Sequence, residues 1–176
     1  KDQGLYQNKI RRPHVCFTCN FTKSTKNKPS LLTFQEVLTT FHEFGHCLHG
    51  LLSNCKYQSL AGTNVFWDFV ELPSQILENW CYEKECLKLF AKHYETNETI
   101  PDILIEKIKK SQQFMAASSC IRQLQFGYLD MAWHTTNQPI EDIEEFENKA
   151  THKTKLIEKI PGSLLSASFS HIFAGG

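Results

Sequence analysis

Two histidines four residues apart, His42 and His46, with Glu43 directly after the first, are the residues of this chain best suited to chemistry. On a helix, positions i and i+4 share one face about one turn apart, so both imidazoles can reach a single ion. Glu43 then projects beside that ion, placed to take a proton from a water held there. This is the H-E-x-x-H arrangement, in which the histidines hold zinc and the glutamate is the general base of a metallopeptidase.

The helix that must carry these residues is legible. Thr33 precedes Glu36 by three positions, as in a capping box, and Leu32 and Val37 stand where a hydrophobic staple would be. These signals predict an active-site helix over 34–53. Val37, Leu38, Phe41, Phe44, Leu48 and Leu52 recur along it at steps of three and four, and Ser53-Asn54 offers its end.

A catalytic zinc site needs a third protein ligand. Asp68 and Glu71 form a second candidate capping box, while Pro73 must fall in or near a first helical turn. A helix is therefore predicted over about 71–95. Ile76, Leu77, Trp80, Cys81, Leu87, Phe90 and Tyr94 give it an apolar stripe, and Glu71, Gln75 and Glu78 line a separate polar face. Glu71 fits the ligand role, and Gln75 or Glu78 can accept from the second ring nitrogen of a ligand histidine. Between the two helices, 57–67 reads as extended. Gly62 there marks either a turn or a place where another backbone approaches closely, such as a peptide substrate adding itself as a strand.

Composition bounds the remaining choices. The 176 residues, 41% apolar and 12% aromatic, suit one domain or part of a larger one. A formal net charge of zero leaves no electrostatic footprint for nucleic acid, and no apolar run has the length of a membrane span. The seven cysteines, Cys16, Cys19, Cys47, Cys55, Cys81, Cys86 and Cys120, are odd in number and scattered. With no signal peptide at the start, they read as reduced thiols in a cytoplasmic compartment. Cys16 and Cys19 are formally C-x-x-C, but no second pair completes a zinc knuckle. Lys1 opens the chain abruptly, which reads as a cut. Residues 14–21 are apolar and β-branched enough for a short strand. Further helices are expected within 102–157: one from Asp102 that bends before Met115, one from there to about His134, and one from the acidic stretch at 141–147 towards Ile157. Pro161-Gly162 then turns the chain into a final strand or loop at 164–176.

Several of these stretches together resemble the thimet oligopeptidase family of zinc peptidases. They are Phe41-His42-Glu43-Phe44-Gly45-His46, Ala61-Gly62-Thr63, Asp68-Phe69-Val70-Glu71-Leu72-Pro73-Ser74-Gln75 with Glu78-Asn79-Trp80, and Ser168-Phe169-Ser170-His171-Ile172-Phe173-Ala174-Gly175-Gly176. Arg12-Pro13-His14 and Cys19-Asn20-Phe21 resemble the branch of the family containing bacterial oligopeptidase A and dipeptidyl carboxypeptidase. The resemblance implies a zincin-like catalytic-domain fragment, mainly α with a small β element. It implies one zinc per chain held by His42, His46 and Glu71, with Glu43 activating water. It also implies that Gly62 and its neighbours lie along a short peptide substrate, which His171 contacts.

In that family the paired glycines lead into a glycine-rich loop bearing tyrosines, and a large helical part precedes the equivalent of Lys1. The missing remainder of the catalytic domain is thus an expected partner. Asn64, Trp67, Asp68 and Phe69 surround the motif much as in the dipeptidyl carboxypeptidase branch, a resemblance that implies release of C-terminal dipeptides, a peptidyl-dipeptidase activity, in the intact enzyme. Internal cleavage by an oligoendopeptidase, and a zinc-binding fragment without catalytic competence, stand as alternatives.

Overall fold

A computed structural model describes residues 2–174 and is mostly helical, with one small two-stranded sheet. It divides into two compact units, Lys1–Lys109 and Lys110–Gly176.

The first unit opens with strands β1 (Gly4–Tyr6) and β2 (Lys9–Arg11), paired antiparallel with Leu5 opposite Ile10. Gln7 and Asn8 between them both have positive φ, 47° and 59°, the conformation a tight two-residue hairpin demands. Next in order, the stretch 14–21 was expected as a strand and forms none. Its apolar side chains pack on the following helix instead. The Phe17 ring meets that of Phe44 edge-on at 5.9 Å, and Val15 lies against Gly50. Val15, Phe17 and Phe21 stay more than a third exposed, and no second strand is supplied to pair with this stretch among the described residues.

Helix α1 (Phe34–Leu51) begins with a complete capping box. The Thr33 hydroxyl accepts from the Glu36 N–H, and Glu36 Oε2 accepts from the Thr33 N–H at 2.6 Å. The other Glu36 oxygen accepts from the backbone and hydroxyl of Thr22, tying the preceding loop to the helix start. At the far end, the Arg12 guanidinium donates to the carbonyls of Leu51 and Ser53, a cation placed at the negative end of the helix dipole.

The helix expected over 71–95 is broken into pieces. Helices α2 (Trp67–Val70) and α3 (Leu72–Glu78), a 3₁₀ turn at Asn79–Tyr82 and helix α4 (Lys84–Phe90) take its place. Pro73 is the reason for the first break, because it lacks the N–H that would continue the ladder from α2. Asp68 accordingly sits inside α2 and caps nothing, and Glu71 precedes α3 without a side-chain cap of its own. Glu83, in extended conformation, separates the 3₁₀ turn from α4, which stops at Phe90. The segment 57–67 is likewise not extended throughout. It holds a 3₁₀ turn at Gln58–Leu60 and a left-handed Gly62 (φ 57°), and Trp67 already belongs to α2. Leu38, Cys47, Ala61, Cys81, Leu87 and Ile105 form the buried core of this unit.

Helix α5 (Asp102–Gln113) leads towards the second unit, and Met115 in left-handed conformation ends its course before α6 (Ala116–Thr135). Within the second unit α6 packs on α7 (Ile143–Thr151), with Trp133 against Phe146 at 4.5 Å. Asp142 caps α7, which gives way after Thr151 to a 3₁₀ turn at His152–Thr154, short of Ile157. The final segment contains helix α8 (Leu165–Ser168) and a 3₁₀ turn at Ser170–Ile172 where a strand or loop was expected. Gly175 and Gly176 lie outside the described residues. Among the described residues, no helix is long and apolar enough to cross a membrane.

Candidate metal centre

The geometry starts from Gly45, midway between the two histidines. A glycine inside a helix costs about 1 kcal/mol relative to alanine, so its presence calls for a reason. A Cβ at Gly45 would stand 2.5 Å from Ser74 Cα and 2.6 Å from the Pro73 carbonyl oxygen. The missing side chain therefore lets the start of α3 press against the middle of α1. Pro73 fixes where α3 begins, and Glu71, just before it, is carried over the histidines.

Three donor atoms converge as a result. His42 Nε2 lies 3.2 Å and His46 Nε2 3.1 Å from the same oxygen, Glu71 Oε2. Candidate ligand atoms of these three residues all lie within 4.8 Å of one another. Glu78, one face along α3, takes the other edge of His42: its Oε1 is 2.7 Å from His42 Nδ1. A carboxylate accepts a proton there, so Nδ1 carries the hydrogen and Nε2 keeps its lone pair. In the neutral rings, at most one of the two Nε2 contacts with Glu71 can then be a hydrogen bond. Lone pairs gathered in this way suit a cation, and two imidazoles with one carboxylate form a donor set for a borderline divalent metal with a further position open.

The Ser74 hydroxyl holds the Glu71 carboxyl below its ordinary pKa, an effect that outweighs burial and is reinforced by His46 and His42. Nδ1 of His46 is buried and makes no hydrogen bond among the described residues. Glu43 is half-buried beside His42, and its carboxylate has no hydrogen-bond or ion-pair partner among the described residues. A group that no neighbour occupies is free to exchange a proton with a small molecule.

Of the other expected site residues, Gln75 is exposed and its side chain makes no hydrogen bond among the described residues, so Glu78 alone of the two acceptors reaches a histidine. Gly62 serves both of the roles open to it at the level of the backbone. It makes a left-handed turn, and its Cβ position lies 3.2 Å from Gly50 Cα of α1. It also lines, with His14, Val15, His46, Gly50 and Thr63, a cavity of about 350 Å³. His171 belongs to the second unit, in the 3₁₀ turn at Ser170–Ile172, with its ring 5.1 Å from that of Phe169. Sequence reasoning overlooked Gly45 and Ser74, although a glycine between two candidate ligands of one helix is a signal of close packing.

Comparison with known proteins identifies the family. The model of Peptidase family M3 matches residues 1–176. "Probable cytosolic oligopeptidase A" of Arabidopsis thaliana is 44% identical over 170 residues, covering 95% of this chain and 24% of the relative. "Oligopeptidase A" of Escherichia coli is 41% identical over 171 residues, covering 95% and 25%. "Dipeptidyl carboxypeptidase" of the same species is 37% identical over 167 residues, covering 93% and 24%. The chain thus spans about a quarter of the length of these curated relatives. With a match along its full length, the chain belongs to Peptidase family M3, the thimet oligopeptidase family that its motifs resemble.

Proposed function

We propose that this chain carries the metal centre of a zinc-dependent peptidase that hydrolyses short peptides. The observation that carries the reading is the convergence of His42 Nε2, His46 Nε2 and Glu71 Oε2, with Glu78 fixing the tautomer of His42. His42, His46 and Glu71 would hold one zinc. When bound, zinc supplies a Lewis acid that polarises a carbonyl and acidifies water. Glu43 takes the proton from the attacking water and delivers it to the leaving amine, as its unpartnered carboxylate beside His42 allows. The cavity shared by His46 and Gly62 receives the peptide as an extended strand, and His171 contacts the substrate in the complete enzyme.

Within peptide hydrolysis, the identities favour oligopeptidase chemistry, since the oligopeptidase A relatives reach 44% and 41% against 37% for dipeptidyl carboxypeptidase. Dipeptide release, read from Asn64, Trp67, Asp68 and Phe69, is the second reading. Seven free cysteines support a cytoplasmic setting. Metal analysis and product analysis in the full-length protein test the proposal. Wild type should hold one zinc and cleave a short peptide, and Glu43→Gln should keep the zinc and lose the cleavage. A metal-free wild type, or normal turnover by Glu43→Gln, would overturn it; products that are all C-terminal dipeptides would select the second reading.

A further inference from the structure

Ser74 is completely buried at the contact between α3 and Gly45, and an alanine would fill almost the same space. Burying a hydroxyl is unfavourable unless it is bonded. Its Oγ lies 2.8 Å from the Glu71 carbonyl oxygen and 2.7 Å from Glu71 Oε2, and its single proton goes chiefly to the nearer, charged carboxylate, the stronger acceptor. The second contact is the informative one, because Oε2 is the same oxygen that faces both His42 Nε2 and His46 Nε2. A carboxylate oxygen has lone pairs for two partners. With one directed to Ser74, the other is left to point between the histidines.

Glu71 is otherwise poorly restrained. Its side chain is about half exposed, at 49%, and it stands at the junction of two short helices rather than inside one. A long exposed side chain samples several rotamers, and each that leaves the site lowers the fraction of molecules ready to ligate. Ser74 is itself fully buried, wedged where Gly45 admits the α3 backbone. We propose that Ser74 is a positioning residue, whose buried hydroxyl locks the Glu71 carboxylate in the orientation that completes the metal centre. The inference rests on the zinc reading above and adds Ser74 of α3 to it.

The test measures zinc affinity of the full-length protein by competition with a chromogenic chelator, with far-ultraviolet circular dichroism to follow folding. Partners that orient metal ligands typically contribute about 10–100-fold in affinity, and Ser74→Ala should weaken zinc binding by that factor while the helical signal is kept. A packing role alone would weaken binding in any background. Positioning through Glu71 requires that Ser74→Ala have no further effect once Glu71→Ala is present, a double-mutant cycle with strong coupling. Additive losses, or wild-type affinity in Ser74→Ala, would overturn the assignment. Should Ser74→Ala fail to fold, Ser74→Cys keeps the volume with a weaker donor, and wild-type zinc affinity there would overturn it equally. A wild type that binds no zinc would instead overturn the zinc reading itself, so the two failures are distinguishable.

Discussion

Glu78 Oε1 stands 2.7 Å from Nδ1 of His42, while Glu71 Oε2 stands 3.2 Å from Nε2 of the same ring. Glu78 closes one short helix and Glu71 directly precedes it, so the Nδ1 edge of a single imidazole donates to Glu78 while its Nε2 lone pair faces Glu71. The ring cannot turn without losing the Glu78 hydrogen bond. Removing the outer grip frees the ring and its tautomer, so Glu78→Ala should lower zinc affinity by about 10–100-fold. His42→Ala should abolish binding altogether. Chelator competition measures both, and unchanged affinity in Glu78→Ala would show that packing orients His42 unaided.

Gly45 makes the second prediction, in which two effects have opposite signs. Alanine favours a helix interior over glycine by about 1 kcal/mol. Against this, its methyl group would press into the backbone of Ser74 and Pro73, which cannot step aside as a flexible side chain would. Overpacking of this kind costs about 1–3 kcal/mol. Gly45→Ala should therefore lower the denaturant midpoint and also weaken zinc binding, because Glu71 directly precedes α3 and moves with it. A raised midpoint would mean that α1 and α3 part without penalty.

The contrast between α1 and the segment after it shows what sequence alone can deliver. The capping box at Thr33 and Glu36 is local, and every interaction it needs lies within three residues. The start of α1 at Phe34 could be read for that reason. The pieces α2, α3 and α4 depend on tertiary contacts at Gly45 and on what Pro73 removes, and a periodic apolar stripe passes through such breaks unmarked. Residues 14–21 failed in the same way: Val15 and Phe17 touch α1 while staying partly exposed, and only a neighbouring strand would have made the stretch one. The grouping of His42, His46 and Glu71 was legible because helical spacing fixed two members and a polar face nominated the third. Choosing Glu78 over Gln75 required knowing which side of α3 faces His42. Ser74, an unremarkable residue in sequence, acquires meaning only from its burial.

Glu36 yields a prediction on pH. Hydrogen bonds from the Thr33 backbone, and then from the backbone and hydroxyl of Thr22, lower its pKa to about 2 from an ordinary 4.5. A carboxyl depressed on folding contributes stability that is complete above its unfolded value and is lost as pH falls through the folded one. The cap should thus hold above about pH 4.5 and be lost as pH falls towards 2. A carboxyl-detected NMR titration should place the Glu36 midpoint well below those of exposed glutamates. Glu36→Gln should flatten the acid dependence of α1, and an ordinary midpoint for Glu36 would mean that the Thr22 loop is not tied to the helix.

In the second unit the corresponding role falls to Glu147, which is only 2% exposed. Burial opposes its ionisation, but the N–H groups of Ser166 and Leu165 and the Lys159 ammonium prevail and keep its pKa below the ordinary value. One carboxylate thereby fastens the start of α8, and with it the stretch leading to His171, onto α7. Hydrogen bonds to a charged group contribute about 1.5–3 kcal/mol, and Lys159 is a quarter exposed, so Glu147→Gln should cost about 2–3 kcal/mol. Because the folded pKa is depressed, the stability Glu147 supplies is present above about pH 4.5 and lost as pH falls through the lowered value. Unfolding of wild type and Glu147→Gln should therefore differ most at neutral pH and converge in acid. A gap that stays constant down to pH values below the depressed pKa would show that the charge of Glu147 is not what holds α8 in place.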